Sequence, residues 1–221
     1  MAHAWELWVQ SFPQLLAATI KTTIPLALIS FALALVLGTL VALARFARVP
    51  VLSQLSWFFV WIFRGTPLLV QLFIVFFGLP KVGVALDAWS AAIVTLSLNT
   101  GAYASEAIRA SIASVPHGQW EAGYTMNLTQ VQVFGKVIAP QAFRIALPPL
   151  SNDFIDLIKG TSLVSTITIT DLFMTGQQIA SATYEPLILY VEVAAIYLLI
   201  CTLLSFVQSK LEAKSSLYVQ R

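Results

Sequence analysis

The stretch of sequence that decides the fold is VPHGQWEAGYTMNLTQVQVFGKVIAPQAFRIALPPL, residues 115–150, the one long polar interval in an otherwise apolar chain. Two runs in it, 119–126 and 129–138, are compatible with helices. Asn127 separates the two runs and tolerates the left-handed backbone conformation of a turn. Pro140 follows the second run and marks its end. The pattern predicts a helix-turn-helix that lies outside the membrane and forms a docking surface.

The composition around this stretch is that of a membrane protein. Apolar residues make up 58% of the 221 residues and charged residues only 10%, whereas soluble domains average roughly 45–50% and 25%. We therefore predict an all-α integral membrane protein. The net charge of +2 is too small to indicate nucleic-acid binding. The single cysteine, Cys201, excludes an intramolecular disulfide and a cysteine-rich metal site, and we expect no metal site or catalytic residue.

Apolar segments on both sides of residues 115–150 are long enough to cross the roughly 30 Å hydrocarbon core as helices. Arg45 and Arg48 follow the first segment, and most other basic residues fall on the same side. Because cytoplasmic loops are rich in Lys and Arg, we expect the N-terminus outside, the C-terminus inside and the loop 115–145 in the cytoplasm. The five predicted spans are about 22–44, 50–79, 88–112, 146–173 and 187–208.

Two of the predicted spans contain helix-breaking residues. The second is longer than a straight crossing needs, and Arg64-Gly65-Thr66-Pro67 predicts a break in it, since proline lacks a backbone donor and glycine is permissive. Residues 80–87 and 175–186 are predicted outer loops. The fourth span is interrupted by Pro148-Pro149, Asp153, Asp156 and Lys159-Gly160.

Charged residues inside the spans are candidates for a solute site, because they are costly in hydrocarbon and usually face a cavity or the bundle interior. Arg64 lies beside the predicted break and Lys159 in the interrupted fourth span, an arrangement typical of transporters whose unwound backbone contacts the solute. Thr161 and Ser162 follow Lys159, and these three residues could hold a carboxylate. For Arg64 the alternative is an interhelical salt bridge or a snorkelling side chain.

Three polar residues of the third span, Asn99, Tyr103 and Glu106, share one helix face through their i, i+4, i+7 spacing. Such a stripe could line a polar pathway, in which Glu106 would bind an amino group. The same side chains could equally hydrogen-bond to neighbouring helices and hold the bundle together.

The polar loop resembles the "EAA" coupling loop of the permease subunits of ATP-binding-cassette (ABC) importers. In that family the loop forms a cytoplasmic helix that fits a groove on a separate ATPase subunit. This sequence has glycine at 123 where the family has alanine, and asparagine at 127 where it has glycine. The residues that the resemblance assigns to ATPase coupling are Gln119, Trp120, Glu121, Ala122, Gly123, Asn127 and Pro140.

Three further segments, IFRGTPLLVQLF, LSLNTGAYASEAIRASIASVPHGQWEA and ALPPLSNDFIDLIKGTSLVSTI, resemble the polar amino-acid branch of these permeases and specifically its cystine-type members. The resemblance implies a five-span subunit of a bacterial cytoplasmic membrane. It implies dimerisation with a second permease subunit, most simply an identical one, and binding of two ATPase subunits that hold ATP and Mg²⁺. It also implies delivery of the solute by an extracytoplasmic binding protein.

The resemblance further implies that Asn99 and Lys159 bind the solute. Gly160 stands where the family has an aspartate, which argues against a cationic solute such as arginine. The resemblance to cystine-type members makes L-cystine the first expectation, with glutamine, histidine and arginine as alternatives, of which arginine is disfavoured by Gly160.

Other classes of function fit the sequence less well. It contains no Gly-x-x-x-x-Gly-Lys-Ser/Thr motif, so ATP must be hydrolysed by a partner, and we expect neither enzymatic activity nor a cofactor in this chain. It contains no His-Glu-x-x-His motif of an intramembrane metalloprotease. A passive channel or membrane scaffold would also use broken spans, but it would not explain a helical coupling loop.

Overall fold

The computed structural model describes residues 2–47 and 49–216, and every regular element in them is helical. Arg48, used above to orient the chain, and residues 217–221 lie outside the described residues. The all-α prediction is therefore confirmed for the described residues.

The chain begins with one long helix. Helix α1 (Ala2–Ala18), a π-helical turn (Thr19–Thr23) and helix α2 (Ile24–Phe46) are continuous, and the apolar part, Ala4–Phe46, has 43 residues. The predicted first span, 22–44, lies inside this helix, but the prediction missed the helical residues before it.

The second apolar segment is broken where the sequence predicts. Helix α3 (Pro50–Gly65) ends before the extended Thr66, and helix α4 (Leu68–Phe73) leaves at a bend of 108°. A π-helical turn (Ile74–Gly78) and a 3-10 turn (Leu79–Val82) complete the segment.

Helix α5 (Ala88–Ala113) covers the residues for which the third span, 88–112, is predicted, and it lies at the centre of the molecule, packed most extensively against α2. It begins at Asp87, whose carboxylate accepts backbone hydrogen bonds from Trp89 and Ser90. The hydrogen bonds from Ser90 hold the pKa of this exposed carboxyl below its usual range. The start of the helix, and with it the register of its polar stripe, is thereby set by a capping side chain.

Two glycines allow α2 and α5 to approach each other closely. A Cβ atom at Gly38 would lie 3.0 Å from the Cβ of Ala104 and 3.1 Å from the carbonyl oxygen of Gly101. At Gly101 a Cβ would lie 3.1 Å from Leu37. The Ser97 hydroxyl also donates to the Ser30 carbonyl at 3.2 Å. Small residues and an interhelical hydrogen bond are the usual means of joining helices in a membrane.

The predicted helix-turn-helix is present. Helix α6 (His117–Thr125) ends before Asn127, whose φ of 58° is left-handed. Thr129 then caps helix α7 (Gln130–Val133) in a capping box with Gln132. The prediction that the second helix ends before Pro140 is wrong, since a π-helical turn (Phe134–Ile138) leads directly into helix α8 (Ala139–Gly160).

All three π-helical turns of the described residues lie two residues before a proline. They precede Pro25, Pro80 and Pro140. A proline inside a regular helix clashes with the preceding turn, and the wider π turn relieves this crowding. Pro140 therefore continues the helix instead of ending it.

The fourth predicted span differs most from the structure. Helix α8 passes through Pro148 and Pro149 without a break, packed against α5 and against the last helix, α10 (Pro186–Ser216). The break comes later, in a 3-10 segment (Thr161–Ile167) that ends at the left-handed Thr168.

The predicted outer loop over 175–186 is wrong for most of its length, because helix α9 (Leu172–Thr183) occupies it. Asp171 caps this helix, accepting a hydrogen bond from the Met174 amide at 2.9 Å. Helix α10 (Pro186–Ser216) follows and is longer than the predicted fifth span.

By length and apolar composition, two helices in the described ranges can cross a membrane, Ala4–Phe46 and Pro186–Glu212. Two bent pairs also qualify if each counts as one span, namely Pro50–Gly65 with Leu68–Val82 and Gln130–Ile167 with Leu172–Thr183. Helix α5 is not among them, because its many Ser, Thr and other polar residues make its sequence less apolar than that of the two long helices. The count of five spans and their orientation stay a prediction.

Candidate functional site

A polar cavity of about 300 Å³ lies between α4, α5 and α8. Two residues of the predicted stripe, Asn99 and Tyr103, are in its wall, and two carboxylates of α8 face them. The lining residues are Leu68, Asn99, Thr100, Tyr103, Asp153, Asp156 and Leu157.

The Asn99 carboxamide uses its nitrogen to hold the broken second segment. Its Nδ2 donates to the Phe63 carbonyl at 3.2 Å and to Gln71 Oε1 at 2.9 Å. Within the described residues Asn99 Oδ1 accepts no hydrogen bond. Asn99 can therefore act toward a solute as an acceptor.

Arg64 and Tyr103 are brought together by the break. The Arg64 guanidinium lies over the Tyr103 ring, 5.1 Å from its centroid, within the range of a cation–π interaction. Arg64 is exposed and is not in the cavity wall.

Asp153 belongs to this site and was treated in the sequence only as an interruption of the fourth span. Its Oδ2 is buried and has no hydrogen-bond partner among the described residues. Together with Asp156 and the Asn99 oxygen it gives the cavity wall several acceptors and a negative charge. The signal that could have identified it is the cost of a carboxylate in a membrane span.

Lys159 and Ser162 line a second cavity of about 490 Å³, formed with α9 and α10. The Lys159 ammonium lies 2.6 Å from Asp156 Oδ1, so this ion pair stands between the two cavities. The structure thus does not place Lys159 in one cavity with Asn99. The second cavity is lined by Lys159, Ser162, Phe173, Tyr190, Val193, Ala194, Tyr197, Leu198 and Cys201.

The two predicted hydroxyls are engaged with their own helix. Thr161 is fully buried and donates to the Ile158 carbonyl at 2.6 Å. Ser162 donates to the Lys159 carbonyl at 2.7 Å. Both cap carbonyls at the end of α8.

Glu106 lies in an ion-pair cluster and not in either cavity wall. It accepts hydrogen bonds from Arg45 at the end of α2 and from Arg109 Nη2, the latter at 2.9 Å. The cluster joins α2 to α5, which is the bundle-holding alternative given above for this residue.

The predicted coupling residues lie on α6 and around it. Gln119, Glu121 and Ala122 are exposed. Trp120 packs inward, with its ring 5.8 Å from Phe46 and 6.4 Å from Phe134. The aromatic contacts fix α6 to the C-terminal end of α2.

Exposed apolar side chains on and between α6 and α7 accompany the exposed Glu121. They were not predicted from the sequence, because apolar residues in a short amphipathic pattern are normally assigned to the inner face. The exposed fractions are 48% for Tyr124, 74% for Met126 and 80% for Val131. An apolar surface beside a charge is typical of a protein interface.

Gly123 is required by the contact between α6 and α7. A Cβ atom at this position would lie 2.8 Å from both γ-methyl groups of Val133. The alanine that the resembled family carries here therefore does not fit opposite valine, and this packing accounts for the glycine.

We expect Gly123→Ala to destabilise the α6–α7 packing by about 1–3 kcal/mol through overpacking. The melting temperature of the purified protein in detergent should fall accordingly, by about 2–4 °C per kcal/mol. Adding Val133→Ala should recover part of the loss. Gly118→Ala is the matched control, since a Cβ there meets nothing within 4 Å; equal melting temperatures for the two alanine variants would contradict the packing argument.

Comparison with known proteins gives consistent matches. The family described as "Binding-protein-dependent transport system inner membrane component" matches residues 34–216. The chain is 49% identical to the L-cystine transport system permease protein TcyB of Bacillus subtilis (strain 168), covering 100% of this chain and 94% of that protein. It is 41% identical to the nopaline transport system permease protein NocM of Agrobacterium fabrum (strain C58 / ATCC 33970), covering 93% and 88%.

A solved structure has the same fold. The crystal structure of an amino acid ABC transporter with histidines superposes with a TM-score of 0.88 at 32% identity, covering 93% of this chain and 96% of that chain. The fold and the long sequence matches agree, and the chain belongs to the family of inner membrane components of binding-protein-dependent transport systems.

Proposed function

We propose that this chain is the permease subunit of an ATP-driven importer that carries L-cystine across a bacterial cytoplasmic membrane. The observation that carries the proposal is the acceptor-lined cavity of Asn99, Asp153 and Asp156 between apolar helices. The 49% identity to a cystine permease over the whole chain supports the choice of solute.

The charges around the cavity suit a zwitterionic amino acid. Asn99 Oδ1 and the Asp153 carboxylate would accept hydrogen bonds from the α-ammonium group of the solute. Lys159 would receive the α-carboxylate in exchange for its contact with Asp156. Because the solute carries as many positive as negative groups, its binding adds no net charge to the membrane interior.

The topology we propose has five spans, with α6 in the cytoplasm. The exposed face of α6 would dock on an ATPase subunit that holds ATP and Mg²⁺. A second, identical permease subunit and an extracytoplasmic binding protein would complete the assembly. ATP binding would move α6, and the anchored end of α2 would move with it and switch the spans between outward-open and inward-open states.

The test is uptake into proteoliposomes that contain this chain, the co-encoded ATPase and the binding protein. Labelled L-cystine, glutamine, histidine, arginine and nopaline are compared with and without ATP inside. We expect ATP-dependent accumulation of cystine. Accumulation of another amino acid alone would overturn the cystine assignment, and leakage independent of ATP would favour the passive channel. An ATPase variant that cannot hydrolyse ATP is the control.

A further inference from the structure

The break in the second segment leaves a backbone acceptor that the helix cannot satisfy. The Phe63 carbonyl would bond to the amide four residues on, but that residue is Pro67, which has no N–H. In a membrane such a group must find another donor within the protein. Two side chains supply it, Gln71 Nε2 at 2.9 Å and Asn99 Nδ2 at 3.2 Å.

Gln71 holds both sides of the break. Its Nε2 also donates to the Thr66 carbonyl at 3.0 Å and to Thr66 Oγ1 at 2.9 Å. The side chain is 5% exposed and is not part of the cavity wall. Gln71 therefore does not reach the proposed solute itself.

These contacts fix the orientation of both carboxamides. A carbonyl oxygen can only accept, so the nitrogen of Gln71 must face Phe63 and Thr66, and the nitrogen of Asn99 must face Phe63. Gln71 Oε1 is then directed at Asn99 Nδ2, 2.9 Å away. Turning the Asn99 amide over would place its oxygen against two acceptors. Its Oδ1 is thereby kept free.

We infer that Gln71 is a positioning residue for solute binding. It holds the Asn99 carboxamide with its oxygen presented to the ammonium group of the solute, and it ties that orientation to the broken backbone at Thr66. This inference rests on the proposed function, in which Asn99 contacts the solute. It predicts that Gln71 affects the affinity for the solute, and that it does so only through Asn99.

The test is a double-mutant cycle on ATP-driven L-cystine uptake with Gln71→Met, Asn99→Ala and the double variant. Methionine keeps the volume and shape of glutamine but makes none of its hydrogen bonds. We expect Gln71→Met to raise KM about tenfold and to change the maximal rate less than about twofold. Such a change indicates weaker binding of the solute with little effect on the transport step. The double variant should match Asn99→Ala.

Several outcomes would overturn the inference. If the double variant raised KM by the product of the two single effects, Gln71 would act independently of Asn99. A normal KM in Gln71→Met, with uptake reduced only in proportion to its membrane level, would assign Gln71 to folding alone. An unchanged KM in Asn99→Ala would show that Asn99 does not bind the solute, and Gln71 could then not act through it. Failure of the proposed function is distinguished from this result, because the unsubstituted protein would then show no ATP-driven uptake.

A control and a second variant sharpen the result. Thr95→Val removes a buried hydroxyl of α5 that donates only to the Ala91 carbonyl of its own helix, and should leave KM unchanged. If Gln71→Met does not reach the membrane, the variant Asn99→Asp is used in place of the double-mutant cycle. Its new oxygen would face two acceptors, so cystine uptake should fall without a gain of arginine uptake, and a gain of arginine uptake would overturn the inference.

Discussion

Glu121→Lys is expected to reduce ATP-driven uptake at least about tenfold while the protein is inserted at its normal level. Glu121 is exposed on α6, beside the apolar side chains that complete the proposed docking surface. Reversal of a charge in an interface costs several kcal/mol through like-charge contact, and about 1.4 kcal/mol already weakens binding tenfold. Uptake and ATP hydrolysis by the reconstituted complex are the measurements.

The control for this result is Glu6→Lys, the same substitution at an exposed carboxylate of α1. It should leave uptake and ATPase stimulation unchanged. Normal uptake in Glu121→Lys would refute the docking role of α6. Reduced uptake together with reduced insertion would assign the effect to folding.

Lys159→Ala is expected to lower uptake about tenfold or more, beyond any change in the amount of protein in the membrane. The substitution removes the ammonium group that we propose binds the carboxylate of the solute. It also leaves Asp156 without this ammonium group, which lies 2.6 Å away. The Asp156 carboxylate then lacks its neutralising partner, and an unpaired charge in a membrane span is costly. Uptake normalised to protein level is the measurement, with Lys21→Ala as a control lysine on the first helix.

A double variant separates the two consequences of Lys159→Ala. Asp156→Asn with Lys159→Met leaves no unpaired charge in this pair. If Lys159 binds the solute, the double variant stays inactive. If the ion pair only holds α8 in place, the double variant recovers uptake, and the solute-binding role is wrong.

The sequence was sufficient for the helical content, the break at residues 64–67 and the helix-turn-helix around Asn127. Each of these depends on local backbone chemistry, namely a proline after a glycine or an asparagine between two helical runs. The same local reasoning failed at Pro140, because a π-helical turn before a proline is not visible in the residue types of the turn. It also failed at α9, whose polar sequence resembles a loop until its packing on α10 is known.

The candidate site was predictable in part. Asn99 and Tyr103 were found because helical spacing places them on one face, and the structure puts both in one cavity. Gln71 was not found, since its hydrogen bonds cross a bend of 108° that no periodicity describes. The separation of Lys159 from Asn99 by the ion pair with Asp156 likewise depends on how α8 is rotated in the bundle.

The charged face of α8 has a consequence for how the chain is made. Asp153, Asp156 and Lys159 each oppose insertion from the translocon by about 2.5–3.5 kcal/mol when centrally placed, so α8 is a poor stop or start signal by itself. The first helix and α10 carry the strongly apolar windows. During synthesis, we expect α8 to enter the membrane only when it can pack against α2 and α5. In nascent chains truncated before α10, we expect the segments after α6 to have mixed orientations.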